Sequence, residues 1–166
     1  MKNKPLFALL VLTLSTALFT ASGRAEEKPS ELYRQGEFQI ETFATALTAD
    51  VKHFTGGYGI GVAYAYHQNW TIGARLTHTG FDVNKLLVED IAVRLTARLP
   101  LSHGLAPYTY LGAGYNLARD RFQIKTGAGL EWRFTPHWGV FTEAGANLDF
   151  ESRNSLEAAG GIRYIF

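Results

Sequence analysis

Residues 121–134, RFQIKTGAGLEWRF, carry two chemistries on alternate positions. One row reads Phe122, Ile124, Thr126, Ala128, Leu130, Trp132, Phe134; the other reads Arg121, Gln123, Lys125, Gly127, Gly129, Glu131, Arg133. A period of two places each row on one face of a β-strand, whereas a helix would mix them. One face is apolar and ends in aromatic rings. The other is charged, with glycines between the charges.

The same alternation recurs along the chain. Eight segments show it, at about 36–49, 57–67, 70–80, 88–99, 107–117, 121–134, 138–149 and 156–166, and helical periodicity is absent throughout. The connections HQN, PLSHGLAP and TPHW alternate with the more charged ADVKHFTG, GFDVNKLLVED, LARD and DFESRNS. Eight antiparallel strands with two classes of connection predict an all-β fold, a closed eight-stranded antiparallel up-and-down barrel. Both chain ends and the proline-containing connections fall on one side of it.

The two rows choose between a soluble barrel and a transmembrane one. The apolar row, which includes Tyr58, Ile60, Val62, Tyr64, Tyr66, Ile91, Val93, Leu95, Val140 and Ile162, contains no Asp, Glu, Lys or Arg. The opposite row carries Arg75, Arg94, Arg98, Arg121, Lys125, Glu131, Arg133, Glu143, Glu157 and Arg163 among many glycines. The first segment is less clean: Glu37, Gln39 and Glu41 join the polar row, but so do Phe43 and Leu47. A soluble barrel would put the bulky rings in water and crowd the charges into a narrow lumen. A membrane barrel reverses the faces, and a Lys or Arg facing lipid at the midplane costs roughly 2–4 kcal/mol. Aromatic rings fall at two levels, as amphipathic rings at the two headgroup zones would. Tyr66, Trp70, Trp132 and Trp138 lie near the rim with the chain ends, and Tyr58, Phe81, Tyr115 and Phe122 near the other.

An eight-stranded lumen is narrow enough for side chains to fill. The expected network is Glu41, Arg75, Arg94, Arg98, Lys125, Glu131, Arg133, Glu143 and Arg163, with Tyr108 and Tyr110 hydroxyls. Unpartnered buried charge is too unfavourable to leave in place. Tight turns would set Gly61 opposite Arg75, Gly112 opposite Arg94 and Gly129 opposite Glu143. A lumen of this kind disfavours passage of apolar molecules.

At the front, Lys2 and Lys4 precede the apolar run LFALLVLTLSTALFT and the small residues ASGRA. This is the form of a secretory signal, too short and too diluted by Ser and Thr for a spanning helix. Cleavage after Gly23 or after Ala25 fits; with the latter, 1–25 is signal, 26–35 (EKPSELYRQ following Glu26) a short periplasmic leader, and 36–166 the barrel. A mature chain of about 140 residues is one domain's worth. The formal net charge of +1 gives no argument for nucleic acid, and the absence of cysteine excludes disulfides and thiolate metal sites.

The sequence ends GGIRYIF, with Gly161, Tyr164 and Phe166 in fixed spacing. With the signal, the strand count and the two girdles, this ending resembles the small eight-stranded outer-membrane barrels, the OmpA/OmpX-like group, over 36–166. The resemblance implies location in the bacterial outer membrane after export by a cleaved signal. It further implies that Gly161, Tyr164 and Phe166 form a C-terminal signal read by the barrel-assembly machinery. It does not extend to a peptidoglycan-binding domain. Lipid A deacylases of this architecture use an outward His with Ser two residues on; here His78 is followed two residues later by Gly80, so the nucleophile is lacking. The leader is also a poor amphipathic helix. His67, His103 and His137 occupy three turns, where wet histidine is ordinary and no metal is expected.

The reading is therefore an integral outer-membrane barrel with a structural or surface-interaction role, not an enzyme, and without cofactor or metal. Its partners would be outer-membrane lipids, lipopolysaccharide and the assembly machinery, and it would act as a monomer without nucleic acid. A lipid A-modifying enzyme and a soluble periplasmic ligand-binding barrel are the alternatives.

Overall fold

A computed structural model of the chain describes residues 32–50, 53–79, 88–149 and 154–166. The expected signal peptide, the first part of the leader and Phe81 lie outside the described residues. Eight strands run through the described residues: β1 (Phe38–Asp50), β2 (His53–His67), β3 (Trp70–Thr79), β4 (Asp90–Arg98), β5 (Leu105–Asn116), β6 (Arg121–Arg133), β7 (Trp138–Asp149) and β8 (Ser155–Ile165). Each pairs antiparallel with the next, and β8 pairs back onto β1, from Gln39 opposite Ile165 to Thr48 opposite Leu156. The sheet thus closes into an up-and-down barrel, as the alternation predicts. Closure leaves no edge strand with unpaired backbone groups.

The observed register carries the predicted pairs: Gly61 opposite Arg75, Gly112 opposite Arg94 and Gly129 opposite Glu143. Several element ends differ by one to four residues, and two of these differences have a clear physical reason. The sequence assigns ADVKHFTG to a loop, but the β1–β2 ladder continues through Ala46–Gly56, Leu47–Thr55 and Thr48–Phe54. Its Thr and Phe residues suit a strand, and continuing the ladder satisfies backbone groups that a loop would leave to water. The expected start of β5 moves back by two residues, because Leu105 and Ala106 pair with Trp132 and Glu131. Pro107 sits within this ladder, where its carbonyl accepts from Leu99 N–H at 2.9 Å.

The first residues of β1 and the last of β8 share one mouth with the links at 68–69, 99–104 and 134–137. This is called the near mouth below, and its opposite the far mouth. Outward positions such as Ile60, Val93, Leu111 and Ile162 are exposed, while inward Arg75, Arg94, Glu131 and Glu143 are buried. Polarity is therefore inverted relative to a protein folded around an oily core. What apolar packing exists inside is a cluster of Phe43, Tyr108, Tyr110, Phe141 and Ala159.

Candidate functional site

The interior charges lie in three layers, because inward residues recur every second position on tilted neighbouring strands. The middle layer is built on two carboxylates. Glu41 of β1 accepts from Arg75 Nε, from Arg163 Nη2 at 2.6 Å and Nε at 3.1 Å, and from Arg94 Nη2 at 3.5 Å. Glu143 of β7 accepts from Arg75 Nη1, from Arg94 Nη1 at 3.0 Å and from the Tyr108 hydroxyl at 2.7 Å. Arg75 thus bridges opposite walls of the barrel.

Arg163 joins this layer to the one at the near mouth, donating Nη1 to Glu131. Glu131 also accepts from Arg133 Nε at 2.7 Å, and Glu37 takes Arg133 Nη1 at 2.9 Å and Arg98 Nη2 at 3.4 Å. The third layer, toward the far mouth, is an acidic pair around one ammonium. Lys125 Nζ lies 2.7 Å from Asp90 and 3.8 Å from Glu157. Glu157 further accepts from Thr45 Oγ1 at 2.9 Å and Asn147 Nδ2 at 3.0 Å.

In the first two layers five arginines face four glutamates among the described residues, so carboxylates alone do not balance them. Aromatic faces supply the remainder. Each of these guanidiniums lies over a ring: Arg75 over Phe43 at 4.4 Å, Arg94 over Tyr110 at 5.1 Å, Arg163 over Phe141 at 4.8 Å, and Arg98 and Arg133 over Tyr33 at 4.9 and 4.0 Å. A desolvated cation over such a face gains up to about 2 kcal/mol. Gln39 contributes as well. With its oxygen turned toward them, it accepts from Arg98 Nη1 at 3.0 Å and Arg133 Nη2 at 2.9 Å; hydrogen bonding selects that orientation.

Glycine provides the room. A Cβ at Gly61 would stand 2.7 Å from Glu41 Oε1, and one at Gly129 2.6 Å from the Tyr108 hydroxyl. Beyond the middle layer toward the far mouth a pocket of about 20 Å³, room for a water, touches Arg94, Tyr110 and Glu143. Farther out is a polar cavity of about 270 Å³ lined by Thr77, Asp90, Gln123, Lys125, Asn147 and Glu157 among others.

All nine residues of the expected network take part in these buried ion pairs. Glu37 and Asp90 belong to it too. Parity alone places both with the charged row, Asp90 four residues before Arg94. Tyr33 carried no such signal, because it precedes the alternating pattern. It lies in the segment read as leader, yet it is buried, and its hydroxyl donates to the Gly104 carbonyl at 2.8 Å. Burial pushes its phenol well above the ordinary range, so it stays a neutral donor.

On the outside, Tyr58, Tyr66, Tyr115, Phe122, Trp132 and Trp138 are between 40% and 51% exposed, and Trp70 is half-buried. Trp70, Trp132 and Trp138 all lie at the near-mouth ends of their strands; Tyr115 and Phe122 face one another at the far end. Gly161 packs beneath Phe43, where a Cβ would be 2.8 Å from that residue's own Cβ. Phe166 N–H donates to Phe38 O at 2.9 Å, and its ring contacts Phe38 at 5.8 Å and Tyr164 at 4.9 Å. His78, in the outward row, is buried beside Tyr58 at 5.2 Å. His67, His103 and His137 do not converge. Among the described residues no three His, Cys, Asp or Glu side chains are placed to hold a metal. His137 Nδ1 lies 2.9 Å from the Ile165 carbonyl.

Residues 8–164 match the family model described as the outer membrane protein beta-barrel domain. The N-terminal barrel domain of Pseudomonas aeruginosa OprF is 17% identical, with a TM-score of 0.64 over 80% of this chain and 98% of that one. A de novo designed transmembrane β-barrel is 19% identical, with a TM-score of 0.64 over 84% of this chain and all (100%) of the design. Ail, the attachment invasion locus protein of Yersinia pestis, is 16% identical, with a TM-score of 0.50 over 80% and 99%. At these identities the likeness is one of fold. No curated protein sequence matches the chain.

Proposed function

On the premise that this chain belongs to the outer membrane protein β-barrel domain family, we propose that it is a membrane scaffold. Its role is structural or one of surface interaction, and it carries no catalytic chemistry. The family and the barrel neighbours point to the bacterial outer membrane. The observation that carries the reading is the inversion of polarity. Inside, arginines and glutamates are buried in ion pairs; outside, none of the strand residues described as exposed is an Asp, Glu, Lys or Arg.

In this reading the apolar band is the lipid contact, and the rings near the two rims meet the headgroups, with lipopolysaccharide in the outer leaflet. The interior charges act as a structural filling. Residues 1–25 direct export and are removed, and Gly161, Tyr164 and Phe166 are recognised during assembly. The barrel works as a monomer, since closure leaves no strand edge to share. His78 has neither a hydroxyl two residues on nor an open approach, which leaves acyl-transfer chemistry without a nucleophile.

The test is fractionation with gel mobility. The protein should stay with outer membranes through carbonate washing and migrate differently before and after boiling in detergent. Release by carbonate or salt would remove the membrane reading and favour a soluble barrel.

A further inference from the structure

Arg98 and Arg133 are the last residues of β4 and β6, at the rim of the near mouth, where water should reach them. Both are 1% exposed. The strands do not cover them, since the rim is where the wall ends. The cover comes from residues just before β1. Tyr33 lies beneath both guanidiniums, the Leu32 carbonyl accepts from Arg133 Nη1, and Tyr33 bonds to Gly104 in the link between β4 and β5. The segment is fastened at its other end as well. Arg34 N–H donates to Glu37 Oε1 at 2.7 Å, and Gly36 N–H to the Ala65 carbonyl of β2 at 2.7 Å. It therefore spans the mouth from β2 to the far side of the opening.

The receiving surface is shaped for this segment. Gly104 adopts φ +77°, which side chains rarely tolerate, and a Cβ there would strike the Arg133 carbonyl and stand 3.0 Å from Leu32 Cδ1. The opposite end of the lumen has no equivalent filling among the described residues, and the cavity of about 270 Å³ lies there. Among the described residues, then, the near mouth is covered by residues 32–36 and the far end of the lumen opens into that cavity.

We propose that residues 32–36 form a strap that seals the near mouth of the lumen, with the Tyr33 ring as its bolt. The seal is a property of this segment rather than of the strand array. Residues 32–36 lie outside the strands; polar bonds and two cation–ring contacts join them to the wall, and at the Gly36 end the backbone bonds to Ala65 of β2. Release exposes Arg98, Arg133 and the inward residues beside them to solvent from that side while the barrel remains closed. The inference rests on the geometry of the mouth and holds whether or not the membrane reading does.

The chain contains no cysteine, so a single introduced one is a clean reporter. Thr71 is buried, one residue inside the near end of β3, and Thr71→Cys is close to isosteric. The full-length barrel carrying T71C is treated with a water-soluble maleimide, with folding checked by heat-shifted gel mobility. Protection is expected with the native strap and with Tyr33→Phe, which keeps the ring. Labelling at least tenfold faster is expected with Tyr33→Ala. Two glycines inserted between Arg34 and Gln35 displace the strap without touching a strand, so they give the same result should Tyr33→Ala fail to fold. Equal protection in the folded insertion variant, or rapid labelling behind the native strap, would overturn the proposal.

Discussion

A buried Glu143 is useful only because of what surrounds it. Arg75 and Arg94 both reach its carboxylate, and Tyr108 donates to the oxygen that Arg94 also contacts. Removing one partner of a buried ion pair leaves the other charge uncompensated, at about 3–5 kcal/mol. Glu143→Ala should therefore destabilise the barrel by roughly that amount in urea unfolding from lipid vesicles. Thr45→Ala, which deletes a hydroxyl bonded to Glu157 near the wetter far mouth, should cost less, about 1.5–2 kcal/mol. Equal losses would mean that the middle layer is screened by water after all. The membership of this network was legible because parity assigns each residue to a face. Which residue meets which was not: Arg75 on β3 and Glu143 on β7 meet across the lumen, and alternation along a strand contains no information about the opposite wall. Tyr33 was illegible for a further reason, since a segment with no period gives no face.

Strand β8 shows what an element adds to its residues. It pairs on both sides, with β7 and with β1, and so is the closing piece of the sheet. Its end is held by ring contacts of Tyr164 with Trp138 and Phe166, each at 4.9 Å, and by the Phe166 N–H bond to Phe38. Deleting Phe166 removes one ladder hydrogen bond and one half-exposed ring, an equilibrium loss of about 1–2 kcal/mol. If the aromatic terminus is also what the assembly machinery reads, outer-membrane levels should fall several-fold, much more than that loss implies. Quantifying the assembled protein beside refolding of the same deletion in vesicles separates the two; unchanged levels would count against the recognition role. Strand existence and register were readable from alternation and short turns. Strand ends were less so, as β1 and β2 show, because the composition of ADVKHFTG resembles a turn while its backbone groups gain more by continuing the ladder.

For the whole molecule, the decisive property is which solvent the outer face was made for. Seven clean strands and one irregular one were enough to read this, since every outward row lacked charge. The irregularity in β1 has a physical account: Phe43 turns inward because its ring packs under the Arg75 guanidinium and against Phe141, at 6.4 Å between centroids, in the space left by Gly59 and Gly161. An apolar residue among charges looked out of place only while the partner rings were unknown. Leu111 offers a test of the solvent itself. It lies at mid-strand in β5, pairs with Leu95 and Thr126, and is 49% exposed. In water, a substitution at so exposed a site changes stability by no more than about 0.5 kcal/mol. In a bilayer, Leu111→Arg near the midplane should cost about 2–4 kcal/mol, whereas Leu111→Phe should change little. Urea unfolding of both variants from lipid vesicles measures the difference directly. A Leu111→Arg barrel as stable as its parent would mean that the apolar row does not face lipid, whatever the closure of the sheet.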